Sequence, residues 1–192
     1  MSSTTESRQQ QRSQLAVQRE IRLAEDQLVI WIQERIDAFR IHAQEVRKTA
    51  TDKRDRNQYG KLEESQFRNL MHVADGTDSP EVVKNFLRYQ LGRDNKWGKG
   101  PDSLAEKIIA HIGEAPTEEE NAIEQPTSGD EENASSADTP DDNNISTLAE
   151  LAEHIAKNAK SHNFKLIWMD LIRRYIGFGG RHLVYVNKGG GR

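Results

Sequence analysis

The most informative feature of this sequence is two groups of basic residues interleaved with aromatic residues. Residues of these types are suited to binding a polyanion. Lys and Arg neutralise phosphates, and aromatic rings stack on bases or cover sugars. The first group comprises Arg88, Tyr89, Arg93, Lys96, Trp97 and Lys99. The second comprises Arg173, Arg174, Arg181, His182, Tyr185, Lys188 and Arg192. The opposing interpretation is a solvated charged face over aromatic residues that belong to the core.

The sequence carries no arrangement typical of an active site, a nucleotide-binding loop or a metal centre. Residues 92–100 place five residues before a Gly-Lys pair where a P-loop has four, and Gly100 stands where that loop needs Ser or Thr. No two of the six histidines are four residues apart, and there are no cysteines. We therefore predict a protein that is not an enzyme and uses no metal or cofactor.

Charge is distributed unevenly along the 192 residues. The net charge is −4, but the segment from Glu114 to Thr147 holds 11 acidic residues, no Lys or Arg and no aromatic residue. Without it, 27 basic residues face 20 acidic ones, a balance of +7. A basic body favours a polyanionic partner. The acidic segment cannot bury enough apolar surface to offset its ordering entropy, so we predict a disordered linker.

The elements that must position the basic groups are helices. Apolar residues recur at spacings of three and four, which predicts an all-α bundle of about five to six helices with a long N-terminal helix. The predicted helices span residues 14–50, 62–74, 80–91, 104–112, 148–159 and 164–175. Glycines 177, 179 and 180 interrupt the last helix, and residues 182–187 fit either a resumed helix or a short strand.

These elements predict four parts of the chain. Residues 1–13 form a disordered tail, 14–113 a helical bundle, 114–147 the acidic flexible linker, and 148–192 the C-terminal helices that complete the bundle. Ser103 with Glu106 and Thr147 with Glu150 are capping-box pairs at two of the helix starts. No apolar run approaches the ~20 residues needed to span a membrane. Together with the lack of cysteine, this favours a cytoplasmic protein.

Three short segments resemble the small-subunit family of type III CRISPR effector complexes. Residues 65–70, Ser-Gln-Phe-Arg-Asn-Leu, are similar to the family's Ser-Gln-hydrophobic-Arg helix. Residues 87–93, Leu-Arg-Tyr-Gln-Leu-Gly-Arg, resemble its Leu-x-Tyr-x-x-Gly/Ala-Arg helix. Residues 183–188, Leu-Val-Tyr-Val-Asn-Lys, are similar to its closing hydrophobic-Val-x-Tyr segment. The acidic linker and the longer N-terminal helix depart from the family's pattern.

The resemblance implies a non-catalytic helical subunit of an antiviral defence ribonucleoprotein. Its partners would be guide RNA and target RNA, other subunits of the complex and copies of itself, stacked along the guide–target duplex. The matched positions make Arg68, Arg88 and Arg93 the implied backbone contacts. Two alternatives remain open: a helical adaptor that binds a protein through its N-terminal helix, or a helix-turn-helix DNA-binding regulator built from residues 79–113.

Overall fold

Six helices make up the part of the chain that the computed structural model describes, which is residues 2–52, 60–116 and 145–189. They are α1 (Ser2–Thr49), α2 (Glu64–Asp75), α3 (Pro80–Arg93), α4 (Leu104–Ile112), α5 (Leu148–Asn158) and α6 (Phe164–Asn187). These ranges contain no strand. The prediction of an all-α bundle with a long N-terminal helix is confirmed.

The long helix α1 uses its predicted apolar stripe to pack within the bundle. Ile21, Leu28 and Ile32 are fully buried against the other helices, and Trp31 is half-buried beside them. The helix begins at Ser2, so it occupies most of residues 1–13, for which we predicted a disordered tail. Glutamine is a good helix former, and the Ser13 hydroxyl donates to the Ala159 carbonyl oxygen (3.0 Å), which ties this end to the body.

Helix α6 lies at the centre of the bundle, with α1, α2 and α5 packed around it. Successive residues of α6 contact successive residues of α1. Arg174 pairs with Glu25, His182 with Asp37, and the Val186 carbonyl with Arg40. Helices α1 and α6 therefore run parallel. Arg173 contacts the C-terminal end of α2, whereas Asn187 contacts Leu62 just before α2 begins, so α2 runs antiparallel to α6.

Gly179 is where α6 approaches α1 and α2 most closely. A Cβ placed on Gly179 would lie 2.6 Å from Ile32 Cγ1 and 2.7 Å from Phe67 Cε1, distances that real side chains do not reach. The missing side chain lets an aliphatic residue of α1 and an aromatic residue of α2 meet the α6 backbone directly. Such close approach is a common reason for a glycine inside a helix.

The predicted interruption of the last helix by glycines is wrong. Helix α6 continues through Gly177, Gly179 and Gly180 to Asn187, so residues 182–187 are helical. Dense packing around α6 offsets the backbone entropy that each glycine costs, about 0.5–1 kcal/mol relative to alanine. Neither α6 nor any other helix within the described ranges is long and apolar enough to cross a bilayer.

Both ends of the predicted linker belong to the folded body. Glu114 Oε2 lies 3.0 Å from the ammonium of Lys84, which is fully buried and also pairs with Glu81 (2.7 Å). Ile145 packs on the core, and Thr147 caps α5 in the predicted capping box with Glu150. Residues 117–144, which contain most of the predicted disordered linker, lie outside the described part of the chain.

The packing at Gly179 predicts a sharp contrast between two glycines of the same helix. Gly179→Ala should lower the free energy of unfolding by about 1–3 kcal/mol, because the added methyl overlaps Ile32 and Phe67. At Gly177 the nearest atom to a new Cβ is an Arg181 nitrogen at 3.9 Å, so Gly177→Ala should be neutral or slightly stabilising. Urea unfolding of both variants measures this, and equal effects would contradict the proposed packing role.

Candidate nucleic-acid interface

Residues 60–63 join two distant parts of the sequence at one end of the bundle. The Gly60 N–H donates to the Asn95 carbonyl oxygen (2.7 Å) in the loop after α3. Glu63 accepts from the Lys96 ammonium (3.2 Å) in the same loop. The Asn187 side chain, at the end of α6, donates to the Leu62 carbonyl oxygen (3.3 Å). The two predicted basic groups therefore meet here in part.

We call this region the basic end, because each segment that reaches it carries Lys or Arg. Arg93 and Lys99, in or beside the loop after α3, are exposed, and so is Lys188 at the end of α6. Lys96 is half-buried and paired with Glu63, so its charge is partly compensated. The basic end is defined by Lys61, Arg93, Lys96, Lys99 and Lys188.

Four more of the side chains that the sequence analysis singled out lie within a few helical turns of the basic end. Arg88 and Tyr89 are exposed on the last turns of α3, with Tyr89 at 60% exposure and Arg88 only 3.9 Å from Glu81. Arg68 is exposed about one turn into α2. Arg181 is exposed on α6 and lies over the Phe178 ring, 4.8 Å from its centroid. The three arginines and Tyr89 are therefore exposed on three different helices, α2, α3 and α6.

Trp97 is not available for binding, which corrects its assignment as a stacking residue. It is fully buried, and its ring centroid lies 5.3 Å from that of Phe67. Its carbonyl oxygen accepts from the Leu104 N–H (2.8 Å), which ties the loop to the start of α4. Trp97 therefore holds the loop on the core, with Lys99 exposed beside it and Lys96 half-buried against Glu63.

Arg173 and Arg174 are structural residues in this fold, away from the basic end. Arg173 donates to the carbonyl oxygens of Ala74 (3.0 Å) and Thr77 (2.7 Å) and pairs with Asp78 (2.9 Å), so it holds the turn between α2 and α3. Arg174 pairs with Glu25 of α1 and with Asp170 one turn earlier in α6. Both guanidinium groups are occupied, so their assignment to the interface is not supported by the geometry.

Two glycines allow the loop after α3 to adopt backbone angles that other residues rarely reach. Gly98 and Gly100 adopt φ angles of 85° and 71°, in the left-handed region that other residues rarely enter. The loop returns directly to α4, where the Ser103 hydroxyl accepts from the Glu106 N–H (3.2 Å) as half of the predicted capping box. These turns fix the direction in which Lys99 leaves the loop.

Sequence reasoning missed Lys61, which is exposed at the centre of the basic end. It stands in the polar connector before α2, where nothing in its local sequence marks it. The one signal nearby is the helix start itself, because Glu63 and Gln66 form a reciprocal capping box that holds residues 60–63 in place. The position of Lys61 is set by its two neighbours, because Gly60 contacts Asn95 and Leu62 contacts Asn187.

The other chemically unusual group is a buried histidine between two aromatic rings. His111 is 2% exposed, with ring centroids 4.6 Å from Trp31 and 5.0 Å from Tyr175. Neither His111 nitrogen nor the Tyr175 hydroxyl has a hydrogen-bond partner within the described residues. Burial, helped by the charge of Arg35, lowers the pKa of His111 from 6.5 to about 3, against an opposing effect of the Ser146 backbone. Burial also raises the pKa of Tyr175.

His111 and Tyr175 are both buried, so they act as a neutral part of the core. Among the described residues, both ring nitrogens of His111 are buried and without a hydrogen-bond partner. Within the ranges that the structure covers, no three His, Asp or Glu side chains are grouped to hold a metal ion. The basic end is therefore the candidate site that the geometry supports best.

The buried His111 predicts a specific loss of stability in acid. The unfolded chain takes up a proton at His111 below pH 6.5, but the folded chain does so only near pH 3. The contribution of His111 to the free energy of unfolding is thus fully present above pH 6.5 and declines as the pH falls toward 3. His111→Phe should reduce this decline relative to wild type in urea titrations between pH 7 and 4. Parallel curves for the two proteins would contradict a neutral buried His111.

No protein-family model, curated protein or solved structure that was compared with this chain matches it.

Proposed function

We propose that this protein binds the phosphate backbone of RNA through its basic end, as a non-catalytic subunit of a ribonucleoprotein. The observation that carries the proposal is the convergence on residues 60–63 of the loop after α3 and the end of α6, two separate segments that carry Lys and Arg. Arg93, Lys99 and Lys188 are exposed there on ordered backbone. Fixed, exposed cations bind phosphates without reading bases, because the contacts are made to groups that every nucleotide shares.

The narrower form of the proposal is a role on the guide–target duplex of a type III CRISPR effector complex. It is supported by the resemblance of residues 65–70, 87–93 and 183–188 to the small subunits of those complexes. The first two segments lie in α2 and α3, and the third covers the end of α6 and the residue after it; each is at or close to the basic end. A tagged chain purified from its native host should carry a small RNA and other effector subunits. Purification as a nucleic-acid-free protein would contradict this form.

The helix-turn-helix alternative has less support from the geometry. Helix α4 would be the recognition helix, but six of its nine residues are buried. Its outward positions are held by Glu106, Lys107 and Ala110, and Lys107 lies 3.6 Å from Asp102. A recognition helix needs several free polar side chains that reach base edges. The adaptor alternative has a specific observation in its favour, the apolar outer face of α1, which is developed below.

Backbone binding predicts a steep dependence of affinity on salt and little dependence on sequence. If the five cations of the basic end each neutralise a phosphate of a duplex, log Kobs should fall against log salt concentration with a slope of roughly −4.5. Fluorescence anisotropy with two RNA duplexes of equal length and unrelated sequence measures both properties. Affinity that is unchanged between low and high salt would contradict a phosphate-driven interface.

The loop after α3 predicts which cations contribute most. Replacing Arg93, Lys96 and Lys99 with alanine should reduce the salt slope by about three and weaken binding about 10- to 100-fold at moderate salt. The matched control replaces Arg22, Lys157 and Lys165, which are exposed elsewhere on the bundle. Both triple variants lose the same charge, so the control should weaken binding far less.

Two outcomes of this pair of variants would overturn the assignment. Equal weakening by both triples would mean that only net charge matters and that the basic end is no site. Unchanged binding in both would remove the basic end from RNA binding altogether. Circular dichroism of each variant checks that the helices are retained, which is expected because none of the six side chains is fully buried.

A further inference from the structure

Helix α1 carries a line of large apolar side chains on the face that points away from the bundle. Leu23, Ile30 and Ile41 are 66%, 48% and 58% exposed. Their spacings of 7 and 11 residues add up to five full turns, so the three side chains lie along one line. Ile21 and Ile32, which are buried, face the opposite direction. A second helix could therefore lie on this line without meeting the rest of the protein.

Between residues 8 and 45 the exposed charges of the same helix are separated by sign, and the sign changes between Arg22 and Asp26. Arg47 and Lys48, in the last turn of the helix, are exposed and basic again. From residue 8 to residue 22, every exposed charged side chain of α1 is an arginine. From residue 23 to residue 45, every exposed charged side chain is an acid. The arginines are Arg8, Arg12, Arg19 and Arg22, and the acids are Asp26, Glu34 and Glu45.

We propose that α1 pairs with α1 of a second copy of this chain, with the two helices antiparallel. In that arrangement the arginine half of each copy faces the acidic half of the other. A single register, centred between Asp26 and Gln27, places Leu23 opposite Ile30 of the other copy. The same register places Arg19 opposite Glu34 and Arg8 opposite Glu45. A parallel arrangement would instead place arginines against arginines, which opposes association.

The symmetry of the pattern favours a second copy over an unrelated partner. A two-fold interface uses the same surface on both subunits, so it requires a surface that complements itself. The face of α1 does so about one centre, in two charge pairs and in the contact of Leu23 with Ile30. Ile41 lies opposite Arg12, whose aliphatic stem can cover it. Residues 8–45 span about 57 Å at 1.5 Å per residue, which provides a long contact for two helices about 8–10 Å apart. The pairing uses none of the five residues that define the basic end.

Charge reversal tests the pairing directly. The variant Arg8→Glu/Arg19→Glu and the variant Glu34→Arg/Glu45→Arg should each be monomeric at concentrations where the full-length wild-type chain dimerises. An equimolar mixture of the two variants should form a mixed dimer, because opposite charges again face each other. The variant with all four changes should dimerise with itself, but only in the antiparallel arrangement. Sedimentation velocity and multi-angle light scattering measure the mass of each sample.

Two results would overturn the proposed pairing of α1 helices. A wild-type chain that stays monomeric at millimolar concentration excludes self-pairing and leaves the face of α1 to another protein. A wild-type dimer whose mass is unaffected by either double variant must use another surface. Circular dichroism confirms that each variant keeps its helices, since the four changed side chains are exposed.

A cross-linking experiment tests the register with milder substitutions. The chain has no cysteine, so a single introduced thiol can be linked only to its counterpart in another copy. Gln27→Cys lies beside the proposed two-fold axis and should give a covalent dimer with a short bismaleimide. Gln44→Cys, also exposed and close to the apolar line, would lie about 52 Å from its counterpart along the helix pair and should remain unlinked. Linking of Gln44→Cys but not of Gln27→Cys would contradict the register.

Discussion

The approach of α6 to α1 and α2 at Gly179 is the constraint on which the arrangement of the bundle depends. Ile32 and Phe67 both occupy space that a side chain at Gly179 would fill. With that contact made, Arg174, His182 and the Val186 carbonyl match partners on α1 in order, and Asn187 reaches Leu62 before α2. The C-terminal end of α6 therefore arrives beside residues 60–63, which also contact the loop after α3, so the basic end follows from the packing of the centre.

Much of the fold could be predicted from the sequence because its helices are strongly periodic and capped locally. The capping box at the start of α5 joins Thr147 and Glu150, which are three residues apart. At the start of α3, Pro80 directly follows the N-cap residue. The glycines of α6 were misread because a glycine that ends a helix and a glycine that admits a neighbouring helix look alike in sequence. Only the positions of Ile32 and Phe67, more than a hundred residues away, distinguish them.

The candidate site could be predicted only in part, since a charge has no fixed role until its partners are known. Arg93 and Arg173 stand in similar basic surroundings in the sequence. In the structure Arg93 is exposed, whereas Arg173 is used by the Ala74, Thr77 and Asp78 contacts of a turn. Trp97 was misassigned for a related reason, because an aromatic residue among lysines satisfies the pattern for stacking and for anchoring a loop equally well.

The two proposed surfaces place a geometric condition on each other. Helix α1 runs parallel to α6, so its C-terminal end points toward the basic end of its own copy. In an antiparallel pair of α1 helices, the basic ends of the two copies must point in opposite directions. One continuous phosphate backbone cannot then contact both basic ends from the same side, whereas two backbone segments can be bridged. Head-to-tail stacking along a single duplex requires all copies to point the same way, so it would have to use surfaces other than the face of α1.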